Sequence, residues 1–277
     1  MIKIQMTNNS MLEKNAELII QTRGIKAPED IDLEAIALTL GAKVNERPLT
    51  SSEARIIGNN NKAIITISSK SSLERKRFSL GHEIGHWQLH RGMDFACLHE
   101  DIGNPSGKVK HKERDADRFA ANLLMPWFLF KPIAQSFAHA DFKATSQLSR
   151  RFKTSFVATA IRFVESNVIP AMIVCHDKEK RQWFRSSKDI PERWFPQDAL
   201  DHDSFAFDIL YGGAERNTRQ QKVSAASWFD RSEAADYEIF EQSAPYIDGQ
   251  VITLLEFYEE GMLEESPHGG YRNNYRW

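Results

Sequence analysis

Residues 80–86, Leu-Gly-His-Glu-Ile-Gly-His, place His82 and His86 four positions apart. On an α-helix four residues turn through about 400° and rise about 6 Å, so both imidazoles leave one face and can share one metal ion. Glu83 lies about 100° round from His82, within reach of a water on that ion without binding it. This is the H-E-x-x-H arrangement, in which two histidines hold zinc and the glutamate acts as general base. Taken alone, the pentapeptide also fits a charged, solvent-facing helix that carries two incidental histidines.

A third ligand would separate the two readings, and there are two candidates. His90 continues the series, but it stands about 12 Å along the axis from His82, too far for one ion to hold all three. The extended pattern, with a glycine and a third histidine after the second, fails because Leu89 and Gly92 occupy those positions. His90 is therefore read as packing or hydrogen bonding at the helix end. Glu113 fits better. On a helix over 113–124, Ala116, Phe119, Ala120, Leu123 and Leu124 form one apolar arc. Glu113 falls inside that arc and Asp117 at its margin. Carboxylates there are expensive unless a cation or hydrogen bonds satisfy them. A metal on His82 and His86 would satisfy Glu113, and Asp117 could accept the second N–H of a ligand histidine. Ordinary ion pairs with Arg or Lys are the alternative. Two His, one carboxylate and one water form an open, catalytic zinc geometry with one Zn²⁺ per chain. Zinc would lower the pKa of its water towards about 7 and polarise a scissile carbonyl, with Glu83 carrying the proton.

The elements that must position these groups follow from periodicity and punctuation. A helix is expected over residues 10–24, and a second from Pro28 to Gly41, with a stripe of Ile31, Leu33, Ile36, Ala37 and Leu40. Residues 54–57 and 63–67 read as a hairpin across Gly58-Asn59-Asn60-Asn61. Ser71 and Glu74 read as a capping box that starts the motif helix, which should run to Arg91. A loop and a helix from His111 to Met125 follow. Residues 144–165 read as two short helices around Thr154-Ser155, like a helix-turn-helix. Beyond Pro170, residues 171–175, 181–185, 204–210, 223–229 and 238–243 look like strands and 250–261 like a helix. The fold expected is α+β. It comprises a zincin-like metallopeptidase domain over 1–140, a helical segment over 141–166 and a C-terminal α+β domain over 167–277.

With 41% hydrophobic and 27% charged residues, the chain is neither disordered nor fibrous. Its net charge of −2 does not announce a nucleic-acid protein. The two cysteines, Cys97 and Cys175, are far apart in the sequence, which fits a reducing cytoplasm rather than a disulfide-stapled secreted protein. No signal peptide and no membrane span is read in the sequence.

The runs RFSLGHEIGHWQLHR at 77–91, ERDADRFAANLLMP at 113–126 and IDLEAIALTLGAKV at 31–44 resemble the ImmA/IrrE family of zinc metallopeptidases. The resemblance implies metal ligands at His82, His86 and Glu113 and a catalytic glutamate at Glu83. It also implies that 144–165 is the family's helix-turn-helix-like segment and that the C-terminal unit is similar to the GAF-like sensor domain of IrrE. Members cleave, or are thought to cleave, a helix-turn-helix repressor, which relieves repression of mobile-element, DNA-damage or antiphage genes. In size the chain is similar to the CapP peptidases of antiphage operons. The substrate implied is a separate repressor protein. The competing readings are a toxin of a toxin–antitoxin pair and a regulator that acts by sequestration or DNA contact; a non-proteolytic homologue often loses the glutamate kept here as Glu83.

Three finer expectations complete the reading. Lys143, Arg150, Arg151, Lys153 and Arg162 make 144–165 and its approach locally basic, for DNA contact or as a solvated face. A nucleic acid such as single-stranded DNA, or a small molecule, is the candidate activator of the C-terminal unit. Trp183, Phe184, Trp194 and Phe195 could stack on bases there, although core packing is the simpler use of such aromatics. The run Lys62–Ser68, with Ile64, Ile65 and Thr66 at its centre, is expected to be an edge strand that pairs with substrate. Cys97, between the two ligand helices, is a candidate inhibitory zinc ligand that would displace the catalytic water.

Overall fold

The computed structural model describes residues 8–50, 52–59, 61–90, 107–213 and 217–264. Cys97 lies outside the described residues, and so does the inhibitory contact expected of it. The described chain is mixed α+β and forms two compact units, residues 1–136 with 146–159, and residues 137–145 with 160–277. The helical segment drawn from the sequence at 141–166 is thus shared between the units. No described helix is long and apolar enough to cross a membrane.

The first unit opens with helix α1 (Asn8–Thr22) and a 3₁₀ turn at Pro28–Asp30. Helix α2 (Leu33–Thr39) follows, and its N-cap Asp32 accepts the backbone N–H groups of Glu34 and Ala35. Three strands come next: β1 (Ala42–Arg47), β2 (Ala54–Asn59) and β3 (Lys62–Ser68). Their order is β1-β3-β2, with β1 parallel and β2 antiparallel to β3. The β2–β3 hairpin matches the sequence reading; β1 was not read from the sequence. The edge-strand expectation for β3 is wrong. The strand is central, and the backbone of Ile64, Ile65 and Thr66 pairs with β1 on one side and β2 on the other. The reason is the long-range parallel pairing of Ala42–Arg47, which local patterning does not reveal.

Helix α3 (Leu73–Leu89) carries the motif. Its N-cap is Ser72, whose hydroxyl accepts the N–H of Arg75, while Ser71 donates instead to the Glu53 carboxylate. The capping-box expectation was one residue early, since Glu74 sits too near the helix start to reach back to its cap. The helix ends at Leu89, with His90 as C-cap. Helix α4 (Gly107–Leu124) supplies the second ligand block, beginning earlier than the sequence suggested, and α5 (Trp127–Ala134) follows. Trp87 is fully buried and donates its indole N–H to the carbonyl of Leu40 at 2.8 Å, tying α3 to the end of α2.

Helices α6 (Phe142–Phe152) and α7 (Phe156–Ser166) flank the Thr154-Ser155 turn. Four of the five basic side chains singled out there are exposed. Arg162 is buried, and Arg151 pairs with Glu29 at 2.9 Å.

The second unit is built on strands β4 (Ala171–His176), β5 (Arg181–Ser186), β6 (Gln221–Ser224), β7 (Glu238–Pro245) and β8 (Val251–Glu256), in the order β5-β4-β8-β7-β6. Every residue of β4 and β8 is buried. Met172 and Val174 of β4 and Val251 and Leu255 of β8 join a core with Trp194, Trp228, Phe229 and Phe257. Three readings need correction here. Residues 205–210 form helix α8 (Phe205–Leu210), capped by Ser204, because the hydroxyl accepts the N–H of Phe207. Strand β6 stops at Ser224, whose side chain caps a 3₁₀ turn at Ala225–Ser227. The stretch expected as a helix from residue 250 is β8, followed only by the short α9 (Glu260–Leu263). An apolar run buried on both faces carries no alternation to mark it as a strand. Of the four aromatics, Trp194 is core and Phe195 is exposed, with Phe184 edge-on beneath it at 5.0 Å.

Helices α3 and α4 meet through small residues. A Cβ at Gly85 would lie 3.1 Å from both Cα and O of Ala116, and one at Gly81 would lie 3.3 Å from Cβ of Ala120. A helical glycine costs about 1 kcal/mol relative to alanine, whereas forcing a methyl into a packed backbone contact costs about 1–3 kcal/mol. Gly85→Ala should therefore lower the melting temperature and weaken metal binding, and Gly81→Ala should do so less. Thermal unfolding with and without metal checks both.

Candidate metal centre

The spacing read from the sequence becomes a single cluster. On α3, one turn brings His82 and His86 to the face that meets α4; their rings lie 4.6 Å apart, centroid to centroid. Glu113 and Asp117, one turn apart on α4, face them. The Nε2 atoms of His82 and His86 are 2.9 Å apart. Each lies 3.3 Å from a Glu113 oxygen. Nδ1 of His82 points the other way, to Asp117 Oδ1 at 2.8 Å. The triad His82, His86 and Glu113 can therefore offer three donor atoms to one ion.

The donor set fits a metal on its own geometry. A tetrahedral ion with bonds of about 2.0–2.1 Å needs ligand atoms about 3.3–3.4 Å apart; here the two Nε2 atoms are 2.9 Å apart, and each lies 3.3 Å from a different oxygen of Glu113. Two imidazole nitrogens and one carboxylate leave a fourth position for water or substrate. Without the metal, the electrostatics are those of a proton held in its place. Burial pushes the His82 imidazole down, but hydrogen bonds to Asp117 and Glu113 outweigh it and raise its pKa to about 9. Hydrogen bonds from the same two histidines hold the Glu113 carboxyl far below the usual carboxylate range.

Glu83 is buried beside His82 and lines the same cleft. This open cleft, of about 520 Å³, is bordered by Ser52, Glu53 and Ala54 at the start of β2, by Arg75, Phe78 and Ser79 of α3, and by His82, Glu83 and Asp117. Ile64, Ile65 and Thr66 are not among its lining residues.

The sequence placed His82, Glu83, His86, Glu113 and Asp117 together, and the structure gathers all five. It missed the β2 border, whose contribution depends on how the hairpin lies beside α3. It also passed over Gly81 and Gly85, although their four-residue spacing beside the two histidines is a signal of close helix packing. His90 is not within the ligand triangle; its Nδ1 lies 3.2 Å from Nδ1 of His86. Burial, with His86 and Lys112 nearby, lowers its pKa to about 4.

Purified protein should hold one divalent ion per chain. Glu113→Ala and His86→Ala should lose it. Asp117→Asn should keep it with affinity lower by about 10–100-fold, the usual effect of losing a ligand's hydrogen-bond partner. Metal analysis after gel filtration and chelator competition check these outcomes.

Residues 37–164 match the family model for Peptidase M78, described as the IrrE N-terminal-like domain. No curated protein matches the chain. Among solved structures, a Mycobacterium tuberculosis transcriptional regulator is similar in fold, with a TM-score of 0.59 and 14% identity over 88% of this chain and 75% of that one. Residues 37–164 are thus similar to the IrrE N-terminal-like domain of the M78 peptidases.

Proposed function

We propose that the chain is a cytoplasmic zinc endopeptidase that cleaves a separate helix-turn-helix repressor after a stress signal, DNA damage or phage, and so derepresses its operon. The observation that carries this reading is the convergence of His82, His86 and Glu113 on one point, beside an open cleft lined by His82 and Glu83. The similarity to a transcriptional regulator supports a regulatory setting. The C-terminal α+β unit is the natural sensor, GAF-like in role, with single-stranded DNA or a small molecule as its activator.

His82, His86 and Glu113 would hold the zinc, which when bound supplies Lewis acidity towards water and the scissile carbonyl. The rest falls to the chain's own residues. Glu83 takes a proton from the attacking water and returns it to the leaving nitrogen. Asp117 accepts the Nδ1–H of His82 and keeps its Nε2 aimed at the site. Substrate docks along β2, the sheet edge whose start borders the cleft. Ser68 donates its N–H to the carbonyl of Glu53, so the alternating antiparallel pattern turns the backbone groups of Ala54 and Ile56 away from β3. An extended repressor linker can pair there by strand addition.

Glu83→Gln should keep zinc and fold while abolishing cleavage of a repressor encoded beside the gene; cleavage that persists at the wild-type rate would overturn the assignment of the base. Ala54→Pro removes a free-edge donor and no ladder bond. It should slow cleavage at least tenfold, by the arithmetic that 1.4 kcal/mol is a factor of ten, with little change in melting temperature. Parallel loss of rate and stability would mean that the residue serves the fold alone.

A further inference from the structure

The two ligand histidines are supported differently. Nδ1 of His82 meets the half-exposed carboxylate of Asp117, whereas Nδ1 of His86 meets another imidazole, His90, at 3.2 Å. His86 is 3% exposed and His90 8%. Their ring centroids are 5.3 Å apart, and one helical turn separates them at the end of α3.

Valence fixes what this contact must be once a metal is bound. The Nε2 of His86 faces His82 and Glu113, so it is the atom that offers a lone pair to the ion. A neutral imidazole has one N–H, which must then sit on Nδ1. The neighbouring Nδ1 of His90 can only accept it, so the proton of His90 sits on its Nε2. We propose that His90 is a positioning residue for the metal centre: its neutral Nδ1 accepts the Nδ1–H of His86 and locks that ligand's tautomer and ring orientation.

The choice of imidazole has a physical reason. A carboxylate in this buried place would have to be desolvated, and it would add a further anion to Glu83, Glu113 and Asp117. A neutral acceptor orients the ligand without either penalty. Asp117, at the exposed margin, pays little for its charge. The inference rests on the metal-site reading but not on peptidase activity, and its test reads metal affinity and tautomer alone.

The full-length chain is loaded with Zn²⁺, and affinity is measured by chelator competition for wild type, His90→Phe, His90→Ala and His90→Asn, with melting of each apo-protein recorded. Removal of the acceptor in the Phe and Ala variants should weaken zinc by about 10–100-fold. Asn, which can present a carbonyl oxygen near the lost nitrogen, should recover most of that loss. Equal affinity in all four proteins would overturn the proposal. So would an Asn variant as weak as Ala, which would assign His90 to packing. Histidine ¹⁵N spectra of the zinc-loaded wild type give an independent reading. Protonated Nδ1 on His86 and protonated Nε2 on His90 support the relay, and the reverse tautomer on His90 refutes it. A wild-type chain that binds no zinc would instead remove the metal-site reading beneath it.

Discussion

The close approach of α3 and α4 is the constraint from which the metal centre follows. Gly81 and Gly85 lie one residue before His82 and His86, and on the partner helix Ala116 lies between Glu113 and Asp117, with Ala120 one turn on. The absent side chains let the backbones come within van der Waals distance, which packed side chains would prevent at ordinary interaxial spacings. Imidazoles on one helix then meet short carboxylate side chains on the other, with Nε2 and Oε atoms 3.3 Å apart. Larger residues at either small stripe would widen the gap and leave the same four polar side chains as separate surface charges. The ligand types set the chemistry, and the small residues beside them set whether the ligands converge.

That helix pair is held in turn by the sheet. Trp87 projects from the last turns of α3 and reaches the Leu40 carbonyl, with Gly58 of β2 leaving room for its ring. Rotation of α3 is fixed at its buried end, where His86 and His90 sit, while the other end opens on the cleft beside residues 52–54. The same packing gives His86 a buried neutral partner and His82 a solvated charged one, so the asymmetry of the site follows from how the helix lies on the sheet.

The chemistry was more legible in the sequence than the topology. His82, Glu83, His86, Glu113 and Asp117 could be read because helical spacing converts number into direction, and both ligand blocks are helices. Strand β3 could be read as a strand but not as central, because its partner Ala42–Arg47 is half exposed, polar and parallel. Strand β8 is buried along its whole length and so carries neither the alternation of a strand nor the stripe of a helix. Helix α8 is only six residues of Phe, Ala, Asp, Ile and Leu, too short for periodicity, and its one informative residue was the cap Ser204. In each case the missing information was tertiary: which face was covered, and by what.

Burial of a carboxylate did not by itself identify the metal ligand, and the second unit shows why. Glu241 is fully buried, yet it accepts hydrogen bonds from the Trp228 indole, the Ser243 hydroxyl and the Ala206 backbone N–H. Glu256 is likewise buried and accepts from the Ala140 backbone N–H, Gln220 and His139. Both are satisfied by protein donors, tying loops and helix ends to a sheet, and neither needs an ion to offset its burial. Glu113 differs in what faces it. Its oxygens meet two imidazole nitrogens that also face each other, and those nitrogens are lone-pair donors whenever the rings are neutral with their protons on Nδ1. Three lone pairs aimed at one point repel unless a cation or a shared proton stands between them. That geometry separates a metal-binding carboxylate from a structural one in this fold: the two strand glutamates meet donors, and Glu113 meets two imidazole nitrogens that become fellow acceptors once the rings carry their protons on Nδ1.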